Sequence, residues 1–554
     1  MSGIAVQSER PQLRAPSADG GTLIAPPLSD LADVLGENRA RRATWQYDVQ
    51  GRSLADLARR ARGELLQAAL AYTGQYRDVP RLPDSATAEI LLAGHQPELF
   101  HPGVWLKNFA LGKMAESREA VGINLLIDND TMKQASLPVP TGTPKSPRLI
   151  SVPFDRGHDP LPFEERPIID GDLFRSFGAR AVEAIRSLVP HPLVESFWPL
   201  ACERARAAGN LGLAVAQARH IVESRWCLSS LEVPQSRVCA AESFRWFTAH
   251  LLAQLPEFRH RFNEAVGHYR RRHGLRSAAH PFPDLAKKDG WLEAPFWIWT
   301  TAEPRRRALF ATQRDRRVVI ADGETFELEL PLTPEGDGAK AVERLGELEA
   351  AGIKIRSRAL TTTLWARLVL SDLFVHGIGG AKYDEVTDRL FTQFFGLTPP
   401  ELMVVSGTLR LPVPAPNVSP QQEGALKQRL WQLRHHPEKF LEDHAEVREN
   451  HRPTGRLVDE KRRWIQTSAT RENARERCRA IRRINASLQP YVAGERCRTA
   501  ERMRDVERVL AAAGVLSWRE FSFCLHPEVS LQRFLCEAGL PGTLDRENPA
   551  GAGQ

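Results

Sequence analysis

The stretch from Glu89 to Asp130 constrains the fold more than any other part of this chain. An apolar run, Glu89-Ile90-Leu91-Leu92-Ala93, leads into the polar loop Gly94-His95-Gln96-Pro97-Glu98-Leu99-Phe100-His101-Pro102-Gly103. Val104, Leu106, Phe109, Ala110, Leu111 and Met114 follow at helical spacing, and a second apolar run, Gly122 to Ile127, ends in Asp128-Asn129-Asp130. Continuous apolar character, then a period of 3.6, then continuous apolar character again predicts strand, loop, helix, strand. Joined by a right-handed crossover, the two strands lie parallel with their carboxyl-end loops side by side. The expected fold class is therefore α/β with a parallel-sheet core.

At 554 residues the chain is too long for one core. Residues 1–28 lack periodicity and are expected to form a flexible leader, and 29–85 an N-terminal helical segment. Residues 86–200 should form the first half of the core, interrupted by an irregular excursion at Pro138, Pro140, Pro144 and Pro147. A helical insertion is expected over 201–275 and an antiparallel insertion over 276–352, with a hairpin at Arg317–Ile320 and Phe326–Leu330. The second half of the core should run over 353–415, including a strand at Asp372–His376 and a further strand or hairpin at Val404-Val405 and Leu409–Leu411. Residues 416–554 read as helical.

Hydrophobic and charged fractions of 42% and 26% are those of an ordinary globular protein. No apolar run is long enough to span a bilayer, and the N-terminus has no secretory pattern, so a cytoplasmic location with no membrane partner is expected. The seven cysteines are scattered without a C-x-x-C pair, which argues against a zinc ribbon and for individual burial. The net charge of +7 is concentrated: residues 421–520 carry 22 Lys and Arg against 15 Asp and Glu. Because the signs alternate as on a solvated helix face, nucleic acid is not the expected partner.

Three groups of residues are candidates for chemistry. Gly94 lets a ligand approach the backbone and Gly103 starts a helix whose free N–H groups favour an anion. Around them His95, Gln96 and His101 are candidate catalytic residues that would stabilise a developing negative charge, with Lys107 and Asn108 binding substrate. The alternative reading is that His95 caps the strand end and His101 caps the helix. Asp128, Asn129 and Asp130 would orient an amine or a ribose, although Asx residues also form simple turns. No metal site is expected, since a second acidic cluster is missing. The third group, Gly377, Gly379, Gly380 and Lys382, suits a nucleotide phosphate at a helix start, but matches neither the P-loop nor the G-x-G-x-x-G spacing. Glu293, in an aromatic, proline-rich segment, is its one candidate acid to face a substrate amine. Arg305-Arg306-Arg307 could grip a phosphate or carboxylate, with an exposed charge run as the default reading.

At Gly94-His95-Gln96-Pro97, Asp128-Asn129-Asp130 and Gly379-Gly380 the chain resembles the cysteine-adding enzyme of bacillithiol biosynthesis. His95 stands where that family has a glutamine, and Asn129 where it has a histidine. The resemblance covers about residues 86–411 in motif order, plus the helical tail. It implies a Rossmann-like core related to the HIGH-signature nucleotidyl-transferases and class I aminoacyl-tRNA synthetases, with a coiled-coil tail supporting a homodimer. The activity implied is a ligase or transferase joining an amine, such as cysteine, to a small acyl or sugar-derived acceptor, with ATP or ADP at the crevice. The His-Gln-Pro start with Lys107 also looks like the WbqC-type sugar-modifying proteins. The competing expectation is a noncatalytic nucleotide-binding scaffold with a basic helical tail.

Overall fold

A computed structural model describes residues 13–83, 88–157, 160–414, 418–441 and 452–537. They fall into two units: the chain through Val139, Ser151–Leu411 and from Arg519 onward, and a second made of Pro140–Ile150 and Pro412–Trp518. In chain order the strands are β1 (Thr22–Ala25), β2 (Ile90–His95), β3 (Val121–Leu126), β4 (Ser136–Thr143), β5 (Ser146–Pro153), β6 (Leu231–Pro234), β7 (Lys287–Lys288), β8 (Trp291–Thr300), β9 (Arg307–Arg314), β10 (Arg317–Ala321), β11 (Glu327–Leu330), β12 (Ile353–Ser357), β13 (Leu373–His376) and β14 (Leu402–Gly407).

The first unit is mixed α/β. Its first sheet has the order β1-β14-β13-β2-β3-β6, parallel except for β1 at the edge. β3, β6, β13 and β14 are buried along their whole length, which is why β3, β13 and β14 read as nearly unbroken apolar runs. Strand order reverses at β2: β3 and β6 lie on one side, β13 and β14 on the other. The crevice outside the carboxyl ends of such strands is where open α/β sheets bind ligands. The second sheet, β11-β10-β9-β8-β12, is antiparallel, with β7 beside β8. Its pairing shifts register between Glu293 and Trp297 of β8, where Pro295 has no N–H to donate. Irregularities of this kind are common beside sites.

Four sequence expectations need correction. Residues 13–28 are not a free leader: Thr22-Leu23-Ile24-Ala25 covers the open edge of β14, and the Gly20 N–H donates to the Thr408 carbonyl at 2.8 Å. The stretch 201–275 is not a purely helical insertion, because β6 within it is the third parallel strand of the core. The proline-rich excursion is the hairpin β4–β5. Leu409–Leu411 adds no strand beyond β14.

The second unit is helical apart from the hairpin residues, with long helices Pro420–His435, Arg452–Gln466, Ala474–Leu488 and Ala493–Leu516. Pro420–His435 opens with a capping box, Ser419 and Gln422 each satisfying the other's backbone N–H. Leu433, Ile484, Leu488, Val492 and Leu516 are buried. Charge alternation is used in ion pairs such as Arg429–Glu495 at 2.8 Å and Arg483–Glu460 at 2.9 Å. Among the described residues no helix is long and apolar enough to cross a membrane. Cys239 and Cys524 are buried as expected, but Cys227, Cys478 and Cys497 are exposed.

Candidate functional site

A cleft of about 230 Å³ lies where the carboxyl edge of the parallel sheet meets β8 and β12. Gln96 enters it from the loop after β2, and Asn129 and Asp130 from the loop after β3. These loops adjoin because β2 and β3 pair in register from Ile90↔Val121 to His95↔Leu126. Gln96 Nε2 donates to Asp130 Oδ2 at 3.0 Å, tying them together.

The opposite wall is cationic and aromatic. Trp297 carries two guanidinium groups against its ring, Arg306 at 4.8 Å and Arg358 at 4.1 Å from the centroid, each a cation–π contact. Arg306 donates to Asp130 Oδ1 at 3.0 Å, to the Asn129 carbonyl at 3.1 Å and to Thr131 Oγ1 at 3.0 Å. Arg358 donates to the Phe296 carbonyl at 3.2 Å and pairs with Glu293 at 2.7 Å. Burial lowers the pKa of both arginines, yet their side chains remain 18% and 15% exposed. Glu293 is therefore the ion-pair partner that holds Arg358 on Trp297, and its other oxygen accepts the Ala286 N–H at 2.9 Å.

Asn129 is 3% exposed. Its Nδ2 donates to the Ser357 carbonyl at 2.7 Å, while its Oδ1 has no hydrogen-bond partner among the described residues. An unpaired buried acceptor costs about 1–3 kcal/mol, so a cleft-lining one marks a place for an N–H or O–H donor. Thr361 and Thr362 complete the wall, their hydroxyls donating to the Pro295 carbonyl at 2.8 Å and the Arg358 carbonyl at 3.1 Å.

The remaining candidates are placed elsewhere. His95 is buried beside Phe100, with Nδ1 3.1 Å from the Gln96 carbonyl and Nε2 3.1 Å from Asn108 Oδ1. Burial, reinforced by the charges of Arg219 and Lys107, holds its pKa well below the ordinary value. His101 caps the helix Pro102–Ser117, its Nδ1 accepting the Gly103 N–H at 3.1 Å. Gly103 is a packing requirement: a Cβ there would stand 2.2 Å from the Gly407 carbonyl oxygen. A Cβ on Gly94 would meet Leu125 and Ile127 at 3.3 Å. Lys107 donates to the Gly94 carbonyl. Asp128 accepts from Ser236 N–H at 2.8 Å and Ser236 Oγ at 2.5 Å, and burial raises its pKa. None of these side chains lines the cleft.

Gly377 precedes the helix Ile378–Gln393. Gly377 and Gly379 face open space, whereas a Cβ on Gly380 would collide with the His376 ring at 2.3 Å. Lys382 is exposed. This helix reaches the cleft's rim through Tyr383, edge-on to Phe282 at 5.3 Å.

Sequence reading missed Arg358 and took Arg306 for part of an exposed charge run by default, because the partners of both are distant in the chain. It also missed a buried charged cluster behind His95. Arg219 pairs with Glu223 and Glu232, and Asn108 Nδ2 donates to Glu223 at 2.8 Å. Tyr76 meets His220 at 2.7 Å, and burial pushes Glu232 up. The available signal was the i,i+4 pair Arg219–Glu223 followed by an acid inside an apolar tetrapeptide, Leu231-Glu232-Val233-Pro234. Comparison of the chain with protein-family models and with curated proteins gives no match.

Proposed function

We propose that this protein is a ligase or transferase that joins an amine to a small acyl or sugar-derived acceptor, in the manner implied by the resemblance to the cysteine-adding enzymes. The parallel strands run in the order third, second, first, fourth, fifth by sequence, which supports a Rossmann-like core with its crevice at the carboxyl end of β2. The observation that carries the reading is the unpartnered Asn129 Oδ1 opposite two guanidiniums stacked on Trp297. An amine donates to Asn129, and the acyl oxygen or carboxylate of its partner lies against Arg358, where developing negative charge is stabilised. Asp130, held by Gln96 and Arg306, is the carboxylate placed to receive the amine's proton. His95 and His101 act through the fold in this reading, not on the substrate.

ATP or ADP is the proposed nucleotide, with Gly377, Gly379 and Lys382 at the start of Ile378–Gln393 as its phosphate contacts. The helical second unit supports a homodimer through a coiled coil in the same reading. Incubating the protein with cysteine or an amino-sugar malate conjugate, each with ATP or ADP, and following products by mass spectrometry tests it. A condensed product that disappears in Asp130→Asn supports the reading. A noncatalytic scaffold is favoured by one observation, the structural use of both loop histidines. Nucleotide binding without any product from these pairs selects that alternative.

A further inference from the structure

At the other end of the parallel strands, Ile90 opens β2 and Val121 opens β3. Beside them is a cavity of about 470 Å³, walled by Leu54, Ala58 and Leu66 of the helix Leu54–Thr73 and rimmed by Arg42, Trp45 and Arg62. At about 3.3 Å per residue along β2, it stands roughly 17 Å from the cleft. Its volume is within the roughly 300–1,000 Å³ of small-molecule sites.

The floor is apolar and the rim carries excess positive charge. Arg42 and Arg62 share one carboxylate, Asp372, at 3.8 and 2.5 Å. Asp372 also accepts the Ile90 N–H at 2.8 Å. Arg59 pairs with the exposed Asp56 of its own helix, at 3.1 Å. Arg42 Nε, Arg62 Nε and Trp45 Nε1 are buried and lack hydrogen-bond partners among the described residues. Buried donors are normally paired, and here three unpaired ones belong to residues around a single cavity. Burial lowers the Arg42 pKa to about 10; Asp372 opposes that shift, and the like charges of Arg62 and Arg367 add to it.

We propose that this cavity is a second ligand site, distinct from the cleft, that takes a small amphipathic anion. A carboxylate or phosphate head accepts from Arg42, Arg62 and the Trp45 indole N–H, and an apolar body rests on Leu54, Leu66 and Val121. The site needs no covalent step.

Isothermal titration of the full-length protein with decanoate and with phenyl phosphate tests this, using decanol and inorganic phosphate as body-only and head-only controls. At least one of the two amphipathic anions binds one to one, and its matching control binds at least roughly tenfold more weakly, the loss expected for one charge-assisted hydrogen bond. Arg62→Met weakens binding by a similar factor. Ala58→Phe fills the cavity while keeping every charge, and abolishes binding. The proposal is overturned if neither anion binds, if a control matches its anion, or if Ala58→Phe binds like the parent protein.

Discussion

Lys107 holds its ammonium on the Gly94 carbonyl at the carboxyl edge of the sheet, where burial and the charge of Arg219 push its pKa down to about 7. The unfolded chain keeps that proton up to the ordinary 10.5. Between those values the unfolded state binds more protons than the folded one, so this residue makes stability rise with pH, by roughly 1.4 kcal/mol per unit. Urea titrations at about pH 7.5 and 9.5 should find the rise in the parent protein and its loss in Lys107→Met; equal slopes would contradict the assignment. The cleft residues Gln96, Asn129 and Asp130 were legible because loops after adjacent parallel strands must meet. His95, His101 and Asp128 stand on the same loops but turn to partners inside the fold. Sharing a loop does not decide which partner a side chain finds, and each found one inside the fold. Arg306 was hidden because an arginine run looks solvated until Trp297 and Asp130 are known to lie beside it.

Two helix starts that look alike in sequence behave oppositely as elements. The helix Pro102–Ser117 begins with Gly103 against the Gly407 carbonyl, so Gly103→Ala forces the backbone apart and should cost about 3 kcal/mol. The helix Ile378–Gln393 has Gly379 in open space, and Gly379→Ala should stabilise the protein by about 0.5 kcal/mol. Denaturant midpoints at constant m-value check both; a neutral Gly103→Ala would show that the two backbones do not meet. The parallel strands β2, β3 and β13 were readable as apolar runs. β6 was not, since Glu232 interrupts a four-residue strand whose acid is tolerated through its pairing with Arg219 and Tyr76. The hairpin β4–β5 was read as irregular because prolines normally exclude strands, and here they sit in an isolated two-stranded ribbon with no central ladder to break.

The net charge of +7 gathers in the second unit, where ion pairs on solvated helix faces accompany few buried apolar side chains. The first unit instead has a sheet buried on both faces. Local opening should therefore be easier in the second unit, and hydrogen exchange should be faster across 420–516 than across β2, β3 and β13. Uniform protection would contradict that ledger of burial. The measurement that bears most directly on the cleft is the thermal shift of the full-length protein with cysteine, an amino-sugar malate conjugate, ATP and ADP, compared with Arg358→Met and Asn129→Leu variants shown to be folded by circular dichroism. A ligand that binds the folded state raises the melting temperature. The account predicts a shift with an amine-bearing ligand that is lost in both variants. A shift with cysteine or the amino-sugar conjugate that survives in both, or no shift with either of them, would contradict a substrate seat built from Asn129, Arg358 and Trp297.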